Sequence, residues 1–94
     1  MFQDRKRIAE NFKQQFQDIV INDCGYLQSG NENWYCLIFY KNDSKLYIRF
    51  YPEFIWIFLY RTQNGTYQSN GSKIVEYNTI EEATEGVKQL INEM

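Results

Sequence analysis

A chain of 94 residues has room for one domain and a core of two layers, because a domain near that size buries roughly 60–65% of its unfolded surface. Hydrophobic content of 44%, charged content of 23%, one Pro and 5 Gly exclude a disordered or low-complexity chain. A net charge of −2, from 10 Lys and Arg against 12 Asp and Glu, exerts no global pull on nucleic acid or anionic membrane, and without histidine the usual general base and metal ligand is missing.

The opening "MFQDRKRIAENF" puts charge where a secretory signal needs an apolar core. The longest apolar run is far short of the roughly 20 residues a membrane helix requires. A cytoplasmic protein with free thiols at Cys24 and Cys36, and with no membrane partner, is the expectation. The first segment reads as a helix over roughly 4–19, where Ile8, Phe12, Phe16 and Ile19 form one apolar stripe beside Ala9 and Asp4 caps the start. The polar stretch "NDCGYLQSGNEN", 22–33, reads as a loop.

Three strands follow, "NWYCLIFYK" (33–41), "KLYIRFY" (45–51) and "FIWIFLYRT" (54–62), all rich in β-branched and aromatic residues. The pair Asn64-Gly65 is the strongest hairpin signal, since a type I′ turn needs positive φ at both central residues. It predicts a fourth strand within 66–77, broken near Asn70-Gly71. The N-x-[ST] matches at Asn42, Asn64 and Asn70 read as turn chemistry rather than glycan sites. The last helix spans roughly 80–93, with Thr79 and Glu82 as a capping box and Ile80, Ala83, Val87, Leu90, Ile91 and Met94 as its stripe. Gly86 in its middle marks a close approach to another element. The predicted fold is a single α+β domain over 1–94, a four-stranded antiparallel sheet in the order α-β-β-β-β-α with both helices packed on one face.

Side chains alternate across a strand, so the turns decide which residues share a face. A three-residue turn at Asn42–Ser44 pairs Lys41 with Lys45, and a two-residue turn at Pro52-Glu53 pairs Tyr51 with Phe54. One face then holds Cys36, Ile38, Leu46, Ile48, Phe50, Ile55, Ile57 and Leu59, extended to Ile74 on the fourth strand. The other holds Tyr35, Leu37, Phe39, Tyr47, Arg49, Tyr51, Phe54, Trp56 and Phe58, extended to Val75. Two helices cover the aliphatic face. The aromatic face is left with an apolar patch of about 500 Å² or more, at or above the largest on a typical monomer. Tyr, Trp, Phe and Arg are the residues enriched in binding surfaces, and Arg49 over Trp56 makes a cation–π pair.

Catalysis, cofactors and metal ions have no support in the pattern. Cys24 lacks an imidazole to activate it, Cys36 sits among apolar neighbours, and Glu81, Glu82 and Glu85 suit the dipole of a helix start. The expected function is therefore a non-enzymatic protein-binding module or inhibitor, of the immunity, anti-defence or chaperone-like kind. Its binding residues are Tyr35, Phe39, Tyr47, Arg49, Tyr51, Phe54, Trp56 and Phe58, its partner a second copy in a homodimer or another protein. Frequent Asn, Gln, Lys, Ile and Tyr suit an AT-rich microbial or viral genome. The alternative is a nucleotide or single-stranded nucleic acid stacked around Arg49. The element order is partly similar to the α-β-β-β-α order of double-stranded-RNA-binding domains. The basic cluster those domains carry at the start of the last helix is replaced here by the acidic "TIEEATEG", which would repel phosphate.

Overall fold

The computed structural model describes residues 4–63 and 66–94, including every side chain of these except those of 61–63 and 66–74. The chain is α+β, with helix α1 (Arg5–Gln14), five strands and helix α2 (Ile80–Glu93). The strands β1 (Val20–Ser29), β2 (Glu32–Lys41), β3 (Ser44–Phe50), β4 (Ile55–Gln63) and β5 (Thr66–Tyr77) form one antiparallel sheet in chain order. Among the described residues no helix is long and apolar enough to cross a membrane.

Both helices start where the sequence says. The Asp4 carboxylate accepts from the Arg7 amide at 3.2 Å, and the Thr79 hydroxyl accepts from the Glu82 amide at 3.2 Å. Helix α1 stops at Gln14 rather than near 19, because the chain must turn to enter the sheet at Val20. Two successive turns, Phe16 N–H to the Lys13 carbonyl and Ile19 N–H to the Phe16 carbonyl, make that change of direction. Helix α2 ends against the β2–β3 turn, where Lys41 Nζ donates to the Ile91 carbonyl and Asn42 Nδ2 to the Met94 carbonyl. These are side-chain caps on carbonyls that a helix end leaves unpaired.

The sheet has five strands, not four. The predicted loop over 22–33 is instead most of strand β1 and its turn into β2. Gly30 takes a φ of +60° in that turn. A bulge between Asp23 and Gly25 admits Cys24 as an extra residue, with Gly25 at φ +74° and its amide donating to the Asp23 carboxylate at 3.0 Å. Asp23 also accepts from Lys13 Nζ at 2.7 Å and from the Tyr35 hydroxyl, so one carboxylate ties α1, β1 and β2 together. Burial alone would raise that carboxyl, but the bonds from Lys13, Tyr35 and the Gly25 amide outweigh it and hold it below the usual range.

The turn between β2 and β3 is one residue shorter than predicted. Asn42 adopts φ +54°, so Asn42 and Asp43 alone make the turn and Lys41 pairs with Ser44. Every residue of β2 is thereby shifted to the opposite face. Tyr35, Leu37 and Phe39 face Phe50, Ile48 and Leu46, and the three are buried. The β3–β4 register is as predicted, with Leu46, Ile48 and Phe50 opposite Leu59, Ile57 and Ile55. The turn pair Asn64-Gly65 lies outside the described residues. Beyond it Gln68 pairs with Arg61 but Lys73 with Leu59, so 69–72 oppose Tyr60 alone. That irregularity sets Val75 opposite Ile57, whereas a regular register would have put Val75 on the other face.

One buried cluster joins Ala9 and Phe12 of α1, Phe16 just beyond it, and Ala83, Val87 and Leu90 of α2 to Tyr35, Leu37, Phe39, Leu46, Ile48, Phe50, Ile55, Ile57 and Leu59. Phe12 packs edge-on against Phe50 at 5.6 Å and Phe16 against Phe39 at 5.4 Å between ring centres. Gly86, buried in α2, gives the close approach its position suggested: a Cβ there would lie 2.9 Å from Cε2 of Tyr77 and nearer still to the end of that ring.

Candidate functional site

The inner face of the sheet is the one whose residues join the buried cluster. The outer face carries the other half of each strand. Read across from β2, its rows are Cys36, Arg49, Trp56 and Glu76, then Ile38, Tyr47 and Phe58. Trp34 lies against Tyr51, with ring centres 5.7 Å apart, and Tyr51 stacks on Phe54 at 4.8 Å. At the opposite end Tyr60 contacts Tyr47 at 5.3 Å and Phe58 at 4.3 Å.

Of the eight residues expected to bind, Tyr47, Arg49, Tyr51, Phe54, Trp56 and Phe58 stand together on this outer face. Tyr35 and Phe39 do not. They are 4% and 0% exposed and belong to the core, because the short turn at Asn42 reversed β2. The Tyr35 phenol is pushed up by burial and then by the Asp23 carboxylate that accepts its hydrogen bond, the mark of a structural group. In their place the reversal puts Trp34, Cys36, Ile38 and Tyr40 outside. Lys45 and Tyr60 also belong here; neither was among the expected binding residues, and sequence reasoning placed Lys45 only as a flanking cation. The signal for Lys45 was its spacing of two from Tyr47 and four from Arg49 on one strand.

Exposure divides the face in two. Trp34, Cys36 and Ile38 on β2 are buried beneath their neighbours, with Cys24, Tyr40, Tyr47 and Tyr51 packed around them. Burial, then the adjacent Cys24, pushes the Cys36 thiol up to about 12, so it is neutral and inert at physiological pH. On β3, β4 and the turn between them, by contrast, Lys45, Tyr47, Arg49, Tyr51, Phe54, Trp56, Phe58 and Tyr60 are all partly exposed.

Both cations of this region lie on aromatic rings. The Arg49 guanidinium sits between two indoles, 4.4 Å from the Trp34 ring and 4.7 Å from the Trp56 ring. It donates through Nη1 to the Tyr51 hydroxyl at 3.1 Å. Lys45 lies 5.0 Å from the Tyr47 ring and 5.4 Å from the Tyr60 ring, and donates to the Tyr47 hydroxyl at 3.2 Å. Among the described residues no carboxylate pairs with Arg49. Arg49 Nε and Trp34 Nε1 are shielded donors without an acceptor. The face is thus rich in rings and donors and poor in acceptors. The cleft at its end, between Tyr51, Phe54 and residues 31–33, holds about 230 Å³, below the roughly 300–1,000 Å³ of small-ligand sites.

Comparison with protein-family models, with curated proteins and with solved structures finds no match to this chain.

Proposed function

We propose that this chain is a small intracellular, non-enzymatic protein-binding module that docks the outer, aromatic face of its sheet on a protein surface, as an inhibitor, immunity factor or chaperone does. The observation that carries the reading is the partly exposed field of Tyr47, Arg49, Tyr51, Phe54, Trp56, Phe58 and Tyr60 on β3, β4 and the turn between them. Both helices are taken to lie on the inner face, as the cluster shared by Phe12, Val87 and Ile48 supports, which leaves this field without cover from them. Strand β1 extends the edge of the sheet and adds no cover to this face. Large aromatic side chains around an Arg are the composition of interface hot spots, and a face whose end cleft holds only about 230 Å³ suits a protein better than a small ligand.

The test is Trp56→Glu. The wild-type chain is expected to associate stoichiometrically with a protein, either itself by light scattering or another chain captured from a native-host extract. The variant, folded by circular dichroism, is expected to have lost that association. A wild type that is monomeric at about 100 µM and captures nothing refutes the reading.

The placement of Lys45 and Arg49 on aromatic rings favours a second reading, in which bases of a nucleotide or single strand stack on the same face. Fluorescence polarisation with labelled oligonucleotides would then show salt-dependent binding lost in Arg49→Ala. A flat titration removes it.

A further inference from the structure

We infer that the occupant of this face is a second copy of the chain, seated about a two-fold axis that runs along β4, so that Arg49 of each copy meets Glu76 of the other. The inference rests on the protein-docking reading above and names its partner.

The argument is one of charge placement. Arg49, Trp56 and Glu76 are successive members of one row across β3, β4 and β5. Neighbouring strands are about 4.8 Å apart, so the cation and the carboxylate flank Trp56 at equal distances on opposite sides. Glu76 is exposed, and among the described residues Arg49 has no carboxylate partner. A two-fold axis lying between two facing sheets and parallel to β4 exchanges the two sides of that row. It sets Trp56 on its own counterpart and each Arg49 over a Glu76, forming two complementary ion pairs at once. An axis along the row would instead set Arg49 on Arg49. Self-complementarity of this kind is what an isologous dimer requires.

The exposure pattern fits the same axis. Copies related along β4 overlap across β3, β4 and β5 and leave β2 outside the overlap. The outer side chains of β2, Trp34, Cys36 and Ile38, are already buried within the chain, whereas those of β3 and β4 remain partly exposed. Sheets facing each other in this way pack with strands within about 30° of alignment.

The experiment is a charge swap read by sedimentation velocity over a concentration series. Wild type is expected to dimerise. Glu76→Arg sets like charges together twice per dimer and should weaken the dimer at least about tenfold, as should Arg49→Glu. An equimolar mixture of the two variants should dimerise as well as wild type, because each mixed dimer then holds two opposite-charge pairs. Where Arg49→Glu does not fold, Arg49→Gln replaces it in the mixture, which should still associate more tightly than Glu76→Arg alone. Recovery on mixing supports the inference. A dimer indifferent to Glu76→Arg, or weakened by it and not recovered on mixing, overturns the pairing. A monomeric wild type that binds a different protein through Trp56 overturns the second copy and leaves the docking reading standing.

Discussion

Gly86→Ala separates helix propensity from packing, and the structure fixes the sign. In an open helix interior the substitution gains about 0.5–1 kcal/mol, because alanine loses less backbone entropy on folding. At this position the new methyl lands on the Tyr77 ring, 2.9 Å from Cε2 and closer to the ring's end. Tyr77 is partly buried against the core cluster, so its ring moves only by disturbing that packing. Overpacking of this order costs about 1–3 kcal/mol. The expected net effect is a loss of about 0.5–2 kcal/mol, which lowers the melting midpoint by several degrees at about 4–8 °C per kcal/mol for a domain of this size. In a Tyr77→Leu background the obstacle is gone, and Gly86→Ala should become stabilising by about 0.5–1 kcal/mol. Urea unfolding followed by tryptophan fluorescence measures all four variants. An increase in stability from Gly86→Ala in the wild-type background would refute the contact and the seating of α2 against β5 that it implies.

Three further outcomes follow from the register and the buried groups. Phe39→Ala should cost about 3–5 kcal/mol, since Phe39 is 0% exposed, and Phe58→Ala only about 1–2 kcal/mol from its partly exposed site; reversed costs in urea titrations would contradict the β2 register. A thiol reagent at pH 8 should label Cys24 and leave Cys36 untouched until the chain is denatured. The folded Cys36 pKa of about 12 exceeds its unfolded value near 8.5, so the associated stability is full below that lower value and lost as pH rises toward 12. Asp23→Asn should lower stability at pH 7. Because the folded carboxyl is depressed, the deficit against wild type should be constant above the unfolded value of about 3.9 and disappear as pH falls through the folded one.

How legible the chain was depended on its turns. Pro52-Glu53 admits only a tight connection, and the whole β3–β4 register followed from it, including Arg49 opposite Trp56. The α2 helix was legible because Thr79, its acidic first turn and its apolar stripe agree. Strand β1 was hidden because an edge strand with Asn22, Asp23, Gly25, Gln28 and Ser29 has the composition of a loop, and it is covered on little of its length. The pair Gly30-Asn31 between two runs was the available signal. The β2 faces were misassigned by one residue, because Asn42 is among the few non-glycine residues that accept positive φ and sequence alone does not say that it does so. Two of eight site residues, Tyr35 and Phe39, were lost to the core by that one turn. The six that remained lie on β3 and β4 or, as Tyr51 and Phe54 do, in the turn between them.

Strand β2 is buried on both sides, with Tyr35, Leu37 and Phe39 on one and Trp34, Cys36 and Ile38 on the other. Hydrophobicity therefore discriminates poorly between the native hairpin and one slipped by a residue, and either side of β2 would satisfy a nascent core. The native alignment carries a positive φ at Asn42, whose side chain also bonds to the end of α2. A turn lengthened by one residue is therefore expected to select the other alignment and, with it, to exchange the two faces of β2.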